Sequence, residues 1–190
     1  MRGDNQQQDR FYELLEPELT RLQAFCQKLV GDPDLGDDLM QDALYDAWKG
    51  FRRLREATAF RSWLYRIVIN RYRTTLRQFK KRAGQTVPLA GDIADDRDAR
   101  LRDARERLNL AMASLSAKDR SLVTLHELEG WSYPEMAEMF GCREATLRTR
   151  LTRCRLKMRE ALRRYYERTG KCSLMTRVTK QCAVAKQERS

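Results

Sequence analysis

Residues 132–155 read SYPEMAEMFGCREATLRTRLTRCR, and their pattern predicts how the second part of the chain folds. Ser132 and Glu135 have the Ser-x-x-Glu spacing of a capping box, which predicts the start of a short helix. Gly141 predicts a tight turn, and a second, longer helix is expected from about Glu144 to Arg168. A short capped helix, a turn and a second helix are the pattern of a helix-turn-helix, whose second helix enters the major groove of DNA.

The charge of the second helix agrees with that interpretation. Residues 143–168 contain ten basic side chains and three acidic ones. Arg and Thr side chains at the start of such a helix can reach base edges, while further Arg side chains hold phosphates. An ordinary helical hairpin with a solvated basic face is the alternative.

Helical periodicity extends over most of the chain on the N-terminal side of this motif. Gly and Pro are scarce, and apolar residues recur at helical spacing, which predicts an all-α protein. We expect two small helical domains joined by a flexible acidic linker, the second domain containing the helix-turn-helix. The predicted segments are a disordered N-terminus at 1–9, a first domain at 10–82, the linker at 83–102, the second domain at 103–168 and a tail at 169–190.

Composition points to a polyanionic partner. The 190 residues include 38 Lys and Arg against 27 Asp and Glu, a formal net charge of +11. Charge of this size favours nucleic acid, although a merely soluble basic protein is the alternative. No apolar run approaches the ~20 residues that span a bilayer, and the N-terminus lacks the apolar stretch of a signal peptide. We therefore expect a cytoplasmic protein without membrane insertion.

Enzyme chemistry and metal binding are not expected. The five cysteines form no Cys-x-x-Cys pair, and His126 is the only histidine. The chain also has no glycine-rich phosphate loop and no nucleophile–histidine motif. The sequence therefore predicts free thiols, no metal, no cofactor and no catalytic residue.

Two predicted helices in the first domain carry unusual polar residues. The helix at about 60–82 is strongly basic with interspersed aromatics, which suits single-stranded DNA, although Trp63 fits the hydrophobic core better. Asn70 offers an amide donor and acceptor to a base edge. The helix at about 35–51 has an acidic face, which is either a docking surface or simply solvated.

Four segments resemble extracytoplasmic-function (ECF) sigma factors of bacterial RNA polymerase, in the order found in that family. Residues 38–48 resemble the family's D-L-x-Q-E…A-W pattern, and residues 60–70 resemble F-x-x-W-L-x-x-I-x-x-N. Residues 130–137 resemble G-x-S-Y-x-E-I-A, and residues 146–155 resemble T-V-K-S-R-L-x-R-A-R. His126 stands where some relatives have Arg.

The resemblance implies promoter recognition, promoter melting and transcription initiation for a specific regulon. The implied partners are core RNA polymerase, promoter DNA and an anti-sigma factor. The residues implied to bind core polymerase are Asp38, Leu39, Gln41, Asp42 and Trp48. Those implied to bind the −10 element are Arg61, Trp63, Arg66, Asn70, Arg71, Arg73 and Arg77. Those implied to bind the −35 element are His126, Thr146, Arg148, Thr149, Thr152, Arg153 and Arg155.

Two other functions compete with this interpretation. A helix-turn-helix regulator that does not bind core polymerase would explain residues 103–168 but not the two helices before the linker. An anti-sigma or adaptor protein would lack two DNA-reading segments.

Overall fold

A computed structural model describes residues 2–83 and 99–169, which are helical or in turns, with no strand among them. The all-α prediction is confirmed. Residues 84–98 of the predicted linker and 170–190 of the predicted tail lie outside the described residues. The helices are α1 (Arg2–Leu15), α2 (Leu19–Val30), α3 (Pro33–Gly50), α4 (Phe60–Ala83), α5 (Ala99–Ala113), α6 (Ala117–Val123), α7 (Tyr133–Phe140) and α8 (Glu144–Thr169). We call α1–α4 the first half and α5–α8 the second half.

The N-terminal region differs from the sequence prediction. Residues 1–9 were expected to be disordered, but α1 begins at Arg2. Gln and Arg have good helix propensity, and buried Phe11 anchors the helix to the rest of the first half. The apolar residues from Phe11 to Val30 recur at the spacing of one continuous helix, yet a 3-10 turn at Glu16–Glu18 divides this segment. Pro17 explains the division, because it has no amide hydrogen to continue an α-helix.

Three consecutive residues turn the chain between α2 and α3. Gly31 ends α2 with φ 85°, a left-handed conformation that glycine adopts without strain. Asp32 accepts a hydrogen bond from the amide of Leu35 at 2.9 Å and caps α3, which begins at Pro33. A Cβ atom on Gly36 would lie 2.6 Å from Gln27 Cα, so this glycine lets the two helices approach closely.

The first half buries its apolar stripes between α2, α3 and α4. The fully buried side chains include Leu22, Phe25, Leu64 and Tyr65. Cys26 is also fully buried, and desolvation raises its pKa to about 12.

The second half contains the predicted helix-turn-helix. Ser132 and Glu135 form the capping box at the start of α7, and Gly141 ends α7 with φ 61°. Met136 and Met139 of α7 are buried, as are Leu147 and the other apolar residues on the inner side of α8. Between α6 and α7 the chain forms one π-helical turn at Thr124–Leu128.

The two halves contact each other mainly through α4, which packs against α6 and α7, while Lys28 of α2 forms an ion pair with Glu129 at 2.8 Å. We call the contact between the halves the junction. Arg120 donates a hydrogen bond to the Tyr72 hydroxyl at 2.5 Å, and both residues are buried. The Tyr65 and Trp131 rings lie 5.0 Å apart. Consequently one hydrophobic core continues from the first half into the second.

Candidate nucleic-acid interface

The outer face of α8 carries six of the seven residues predicted to bind duplex DNA. Leu147, Leu151 and Cys154 form the buried side of this helix. At 100° per residue, the predicted set lies on the opposite side and is exposed. The six residues are Thr146, Arg148, Thr149, Thr152, Arg153 and Arg155. One helix face therefore presents hydroxyls and guanidinium groups together.

The hydroxyls on this face are already oriented. Thr149 donates to the carbonyl of Ala145, and Thr152 donates to the carbonyl of Arg148, each at 3.0 Å. Their oxygen lone pairs remain available to accept from a base amino group.

An ionic contact sets the position of α8 against α6. Asp119 is buried and accepts from Arg150 at 2.6 Å and from the Ser116 hydroxyl at 2.7 Å. Burial alone would raise the pKa of Asp119, but the hydrogen bonds from Arg150 and Ser116 bring it below its usual value. Beside this contact runs an open groove of about 660 Å³, which Thr149 and Arg153 also line.

The seventh predicted residue, His126, lies in the π-helical turn and belongs to a stack of side chains. Its ring lies 4.5 Å from the Tyr133 ring, and the guanidinium of Arg148 lies 4.2 Å from the same Tyr133 ring. Arg155 donates to Glu127 at 3.0 Å through Nε. The turn and the start of α7 therefore contact side chains of the predicted reading face.

The basic helix α4 has two opposite stripes. Residues 61, 65, 68 and 72 lie along the side that meets the second half. Arg66, Asn70, Arg73 and Arg77 follow the spacing i, i+4, i+7, i+11 along another side, about 140° away. Arg66, Asn70 and Arg77 are exposed on this stripe, and Arg73 is half-buried.

A shallow depression of about 310 Å³ adjoins Asn70. Arg71 lines it and donates to Asp46 at 2.8 Å, with Asp42 3.9 Å from the same guanidinium. Thr74 lines it as well. The depression thus combines an amide, a hydroxyl and an ion pair, a polar set that can contact one unstacked base.

Two residues predicted to bind the −10 element lie elsewhere. Trp63 is half-buried and packs 5.9 Å from the Phe60 ring, so it takes part in the hydrophobic core of the first half. Arg61 lies at the junction, 4.6 Å from the Trp131 ring. Neither belongs to the exposed stripe.

The acidic face of α3 is exposed as predicted for Asp38, Gln41 and Asp42, and Trp48 is 38% exposed. Leu39 is different: it is only 6% exposed, and its side chain joins the hydrophobic core because it lies on the inner stripe of α3. Leu39 is therefore not part of the exposed face.

Comparison with known proteins decides the family. A family model of sigma-70 region 2 matches residues 14–82, and a model of sigma-70 region 4 matches residues 105–158. The ECF RNA polymerase sigma factor SigM of Mycobacterium tuberculosis is 31% identical over 162 residues, covering 84% of this chain and 79% of SigM. This chain belongs to the ECF sigma factors. A sigma factor of this family directs RNA polymerase in transcription initiation, and that is the function of this chain.

Other relatives agree with this sigma-factor identity. The RNA polymerase sigma factor CarQ of Myxococcus xanthus is 31% identical, with 82% of this chain and 90% of CarQ aligned. The sigma factor RpoE of Bartonella quintana, solved with the anti-sigma factor NepR, has a TM-score of 0.63 and 27% identity over 80% of this chain and 96% of that one. CnrH, solved with the cytosolic domain of CnrY, shares the fold with a TM-score of 0.57 over 80% and 86% of the two chains.

The described part of the chain shows neither a metal-binding cluster nor a membrane-spanning helix. The described part of this sigma factor has no cluster of three or more His, Cys, Asp or Glu side chains that could hold a metal ion. No helix within residues 2–83 or 99–169 combines the length and the apolar character needed to cross a bilayer.

Three contacts in this sigma factor were missed by sequence reasoning. The sequence pattern predicts no contact for Tyr133, Asp46 or Asp119. Their partners Arg148, Arg71 and Arg150 are 15, 25 and 31 positions away. Helical periodicity reports only on neighbours three or four positions apart, so no single-sequence signal identifies these pairs.

Proposed function

We propose that this sigma factor works through three separate surfaces. The acidic face of α3 binds core RNA polymerase, the exposed stripe of α4 reads the −10 element as single strand, and the outer face of α8 reads the −35 element as duplex. The observation that carries this proposal is that each surface lies away from the buried side of its own helix. The factor is non-enzymatic in this scheme, because RNA synthesis stays with the polymerase.

The two DNA surfaces differ in what they can read. The outer face of α8 is a convex helix surface, and the ~12 Å width of the major groove admits such a helix. The α4 stripe instead borders a depression at Asn70, which suits a base that has left the stack. We therefore assign duplex binding to α8 and strand opening to α4.

Charge reversal tests the polymerase surface. The double variant Asp38→Lys and Asp42→Lys should weaken association with core polymerase by about 2–5 kcal/mol if both charges are desolvated at the interface. Glu160→Lys with Glu167→Lys makes the same change in net charge near the end of α8 and serves as the control. A double variant at 38 and 42 that binds core polymerase as tightly as the control would contradict the assignment.

Promoter templates separate the two DNA surfaces. Arg153→Ala should weaken closed-complex binding by about 1–3 kcal/mol, and the loss should largely vanish on a template without the −35 element. Asn70→Ala should bind duplex normally but open it slowly, with a base-specific defect that persists on a template pre-melted at −10. Filter binding and permanganate footprinting measure both steps, with Arg164→Ala as the control. Equal loss of duplex binding in both variants would contradict the division.

A protein inhibitor is the third partner in this proposal, and the cytoplasm is where we place the activity. Support comes from the similar sigma factors RpoE and CnrH, which were solved with NepR and with the cytosolic domain of CnrY. A stoichiometric partner recovered with the tagged full chain should inhibit promoter-directed transcription when it is added back to the holoenzyme. Undiminished transcription with every recovered partner would contradict this part of the proposal.

A further inference from the structure

Tyr133 touches side chains from two different elements of the −35 surface, although nothing in its sequence position assigns it to DNA binding. Its ring lies 4.5 Å from the His126 ring and 4.2 Å from the Arg148 guanidinium. Glu127 and, to a smaller extent, the Tyr133 phenol raise the pKa of the nearby Arg155 guanidinium. One half-buried ring thus contacts two side chains that are expected to meet DNA, His126 and Arg148.

The backbone around Tyr133 is held firmly. The Ser132 amide donates to Glu135 at 2.8 Å, which closes the capping box at the first residue of α7. The neighbouring Trp131 amide donates to the Leu125 carbonyl at 3.0 Å, across the π-helical turn. Hydrogen bonds therefore fix the backbone from which the Tyr133 side chain extends.

A hydrogen bond also fixes the orientation of the His126 ring. His126 Nδ1 lies 2.8 Å from the Trp131 carbonyl oxygen. A carbonyl oxygen can only accept, so Nδ1 carries the hydrogen and Nε2 is the ring nitrogen left for another contact. The π-helical turn brings this ring to 4.5 Å from the Tyr133 ring.

Arg148, in contrast, is a long side chain with 59% of its surface exposed. Its other contact is an ion pair with Glu144 at 3.2 Å, one turn earlier on the same helix. Exposed ion pairs of this kind order a side chain weakly. A cation stacked on an aromatic face is attracted by the ring quadrupole, and the flat ring also limits the orientations of the guanidinium.

We infer that Tyr133 is a positioning residue of the −35 surface, whose ring holds Arg148 and His126 in the orientation in which they meet the duplex. This inference rests on the proposed role of α8. Side chains ordered before binding lose less conformational freedom when they bind, so the stack raises both affinity and base discrimination.

Holoenzyme reconstituted from the full chain and core polymerase tests this role, on a promoter obtained from a genomic library by in vitro transcription. Tyr133→Leu removes the ring and should weaken closed-complex binding about fivefold, the upper range for an exposed cation–π pair. Tyr133→Phe keeps the ring and should stay within about twofold of the unsubstituted protein. Tyr165→Leu removes a ring near the other end of α8 and is the matched control.

Coupling to Arg148 distinguishes positioning from a general loss of structure. In an Arg148→Ala background, Tyr133→Leu should cost less than about twofold, because only the His126 ring, which a hydrogen bond already holds, is then left in contact with Tyr133. Tyr133→Leu should also lose discrimination at the same base pair as Arg148→Ala. Glu144→Gln, which removes the ion pair but not the stack, should preserve that discrimination.

Three outcomes would overturn the inference. Multiplicative effects of Tyr133→Leu and Arg148→Ala would mean that the two residues act independently. An equal loss in Tyr133→Phe and Tyr133→Leu would assign the effect to the hydroxyl. If Arg148→Ala and Arg153→Ala both bind the −35 element normally, the proposed role of α8 itself fails, and the positioning role fails with it.

Discussion

Two carboxylates in the second half are held in their charged form by specific hydrogen bonds. Arg150 and Ser116 act on Asp119, and the hydroxyl and amide of Ser132 act on Glu135. Both pKa values lie below their usual range. A carboxylate with a lowered pKa in the folded state stabilises that state at neutral pH and loses this contribution in acid.

The capping box gives the first prediction. Ser132→Ala should lower the free energy of unfolding by about 0.5–2 kcal/mol at pH 7, because the Glu135 amide loses its side-chain acceptor. Glu135→Gln should also destabilise the protein above pH 4.5, the ordinary pKa of the group, where the folded-state advantage is complete. The difference from the unsubstituted protein should shrink as the pH falls below 4.5 and through the lowered folded-state pKa.

Urea unfolding at several pH values measures this effect. Glu138→Gln changes an exposed carboxylate on the same helix and is the matched control. A Glu135→Gln difference that stays constant from neutral to acid conditions would show that the carboxylate charge contributes nothing.

Exposure of single residues was only partly predictable. Asp38, Gln41 and Arg153 are exposed as their helical positions predict. Leu39 is buried and Arg61 is only partly exposed, for different reasons. Leu39 lies on the inner stripe of its own helix, which helical periodicity could have identified. Arg61 contacts Trp131, 70 positions away, and no local pattern carries that information.

The sequence pattern did not predict that helix α1 contacts the loop at residues 52–59. The Phe11 ring lies 5.1 Å from Phe51 and 5.9 Å from Phe60, the residues on either side of the 52–59 loop. Gln7 accepts a hydrogen bond from Arg52 at 2.9 Å, at the start of the same loop. Helix α1 therefore holds both ends of the loop that precedes α4.

Loosening α1 gives the second prediction. Phe11→Ala should increase trypsin cleavage at Arg53 and Arg55 about tenfold or more, because each lost ring pair contributes about 0.5–1.5 kcal/mol beyond its buried area. Tyr12→Ala removes the adjacent ring, which is 57% exposed, and is the control. The rate of cleavage under native conditions, followed by mass spectrometry, measures the difference. Equal rates in the two variants would mean that α1 does not restrain the loop.

The helix ends agree with the sequence-based prediction where capping or helix-breaking residues are present. Gly31-Asp32-Pro33 and the Ser132–Glu135 box act locally, so their effect could be predicted from a few residues. The π-helical turn could not, because its geometry depends on hydrogen bonds across a loop, such as that from Trp131 to Leu125. The helical start of α1 depends on Phe11 reaching Phe51, which is again a distant contact.

In the whole molecule, the junction holds the two proposed DNA surfaces, the exposed stripe of α4 and the outer face of α8, close to each other. Elements named −35 and −10 lie about 25 base pairs apart, or about 85 Å along B-form DNA at 3.4 Å per base pair. In this arrangement α4 touches α6 within hydrogen-bonding distance. If α4 and α8 bind these elements as proposed, simultaneous binding of both requires the halves to separate.

Some buried polar atoms at the junction have no hydrogen-bond partner. Within the described part of the chain, Tyr65 Oη and Trp131 Nε1 are buried at the junction without a hydrogen-bond partner. Arg61 Nε has no hydrogen bond either and makes only a 3.5 Å ion pair with Glu18 Oε2 of the first half. Each unpaired buried group costs about 1–3 kcal/mol, which offsets the apolar contacts and eases separation.

Removing one hydroxyl gives the third prediction. Tyr72→Phe leaves an Arg120 N–H without its acceptor inside the junction, and water satisfies that group only when the halves part. The variant should therefore have a larger mean radius of gyration in small-angle X-ray scattering. Tyr165→Phe makes the same chemical change at a bond to Glu106 within the second half and should leave the radius unchanged. An equal radius for both variants would contradict this use of the junction.

Each half contains one buried thiol whose rate of alkylation measures how often that half unfolds. Cys26 lies in the first half and Cys154 in the second, and burial raises the pKa of Cys154 to about 11. Both should resist alkylation at neutral pH until the surrounding helices open. In the unsubstituted protein, mass-resolved labelling of the two positions should give two separate rates if the halves unfold independently. A single shared rate would mean that the continuous hydrophobic core makes the chain one cooperative unit.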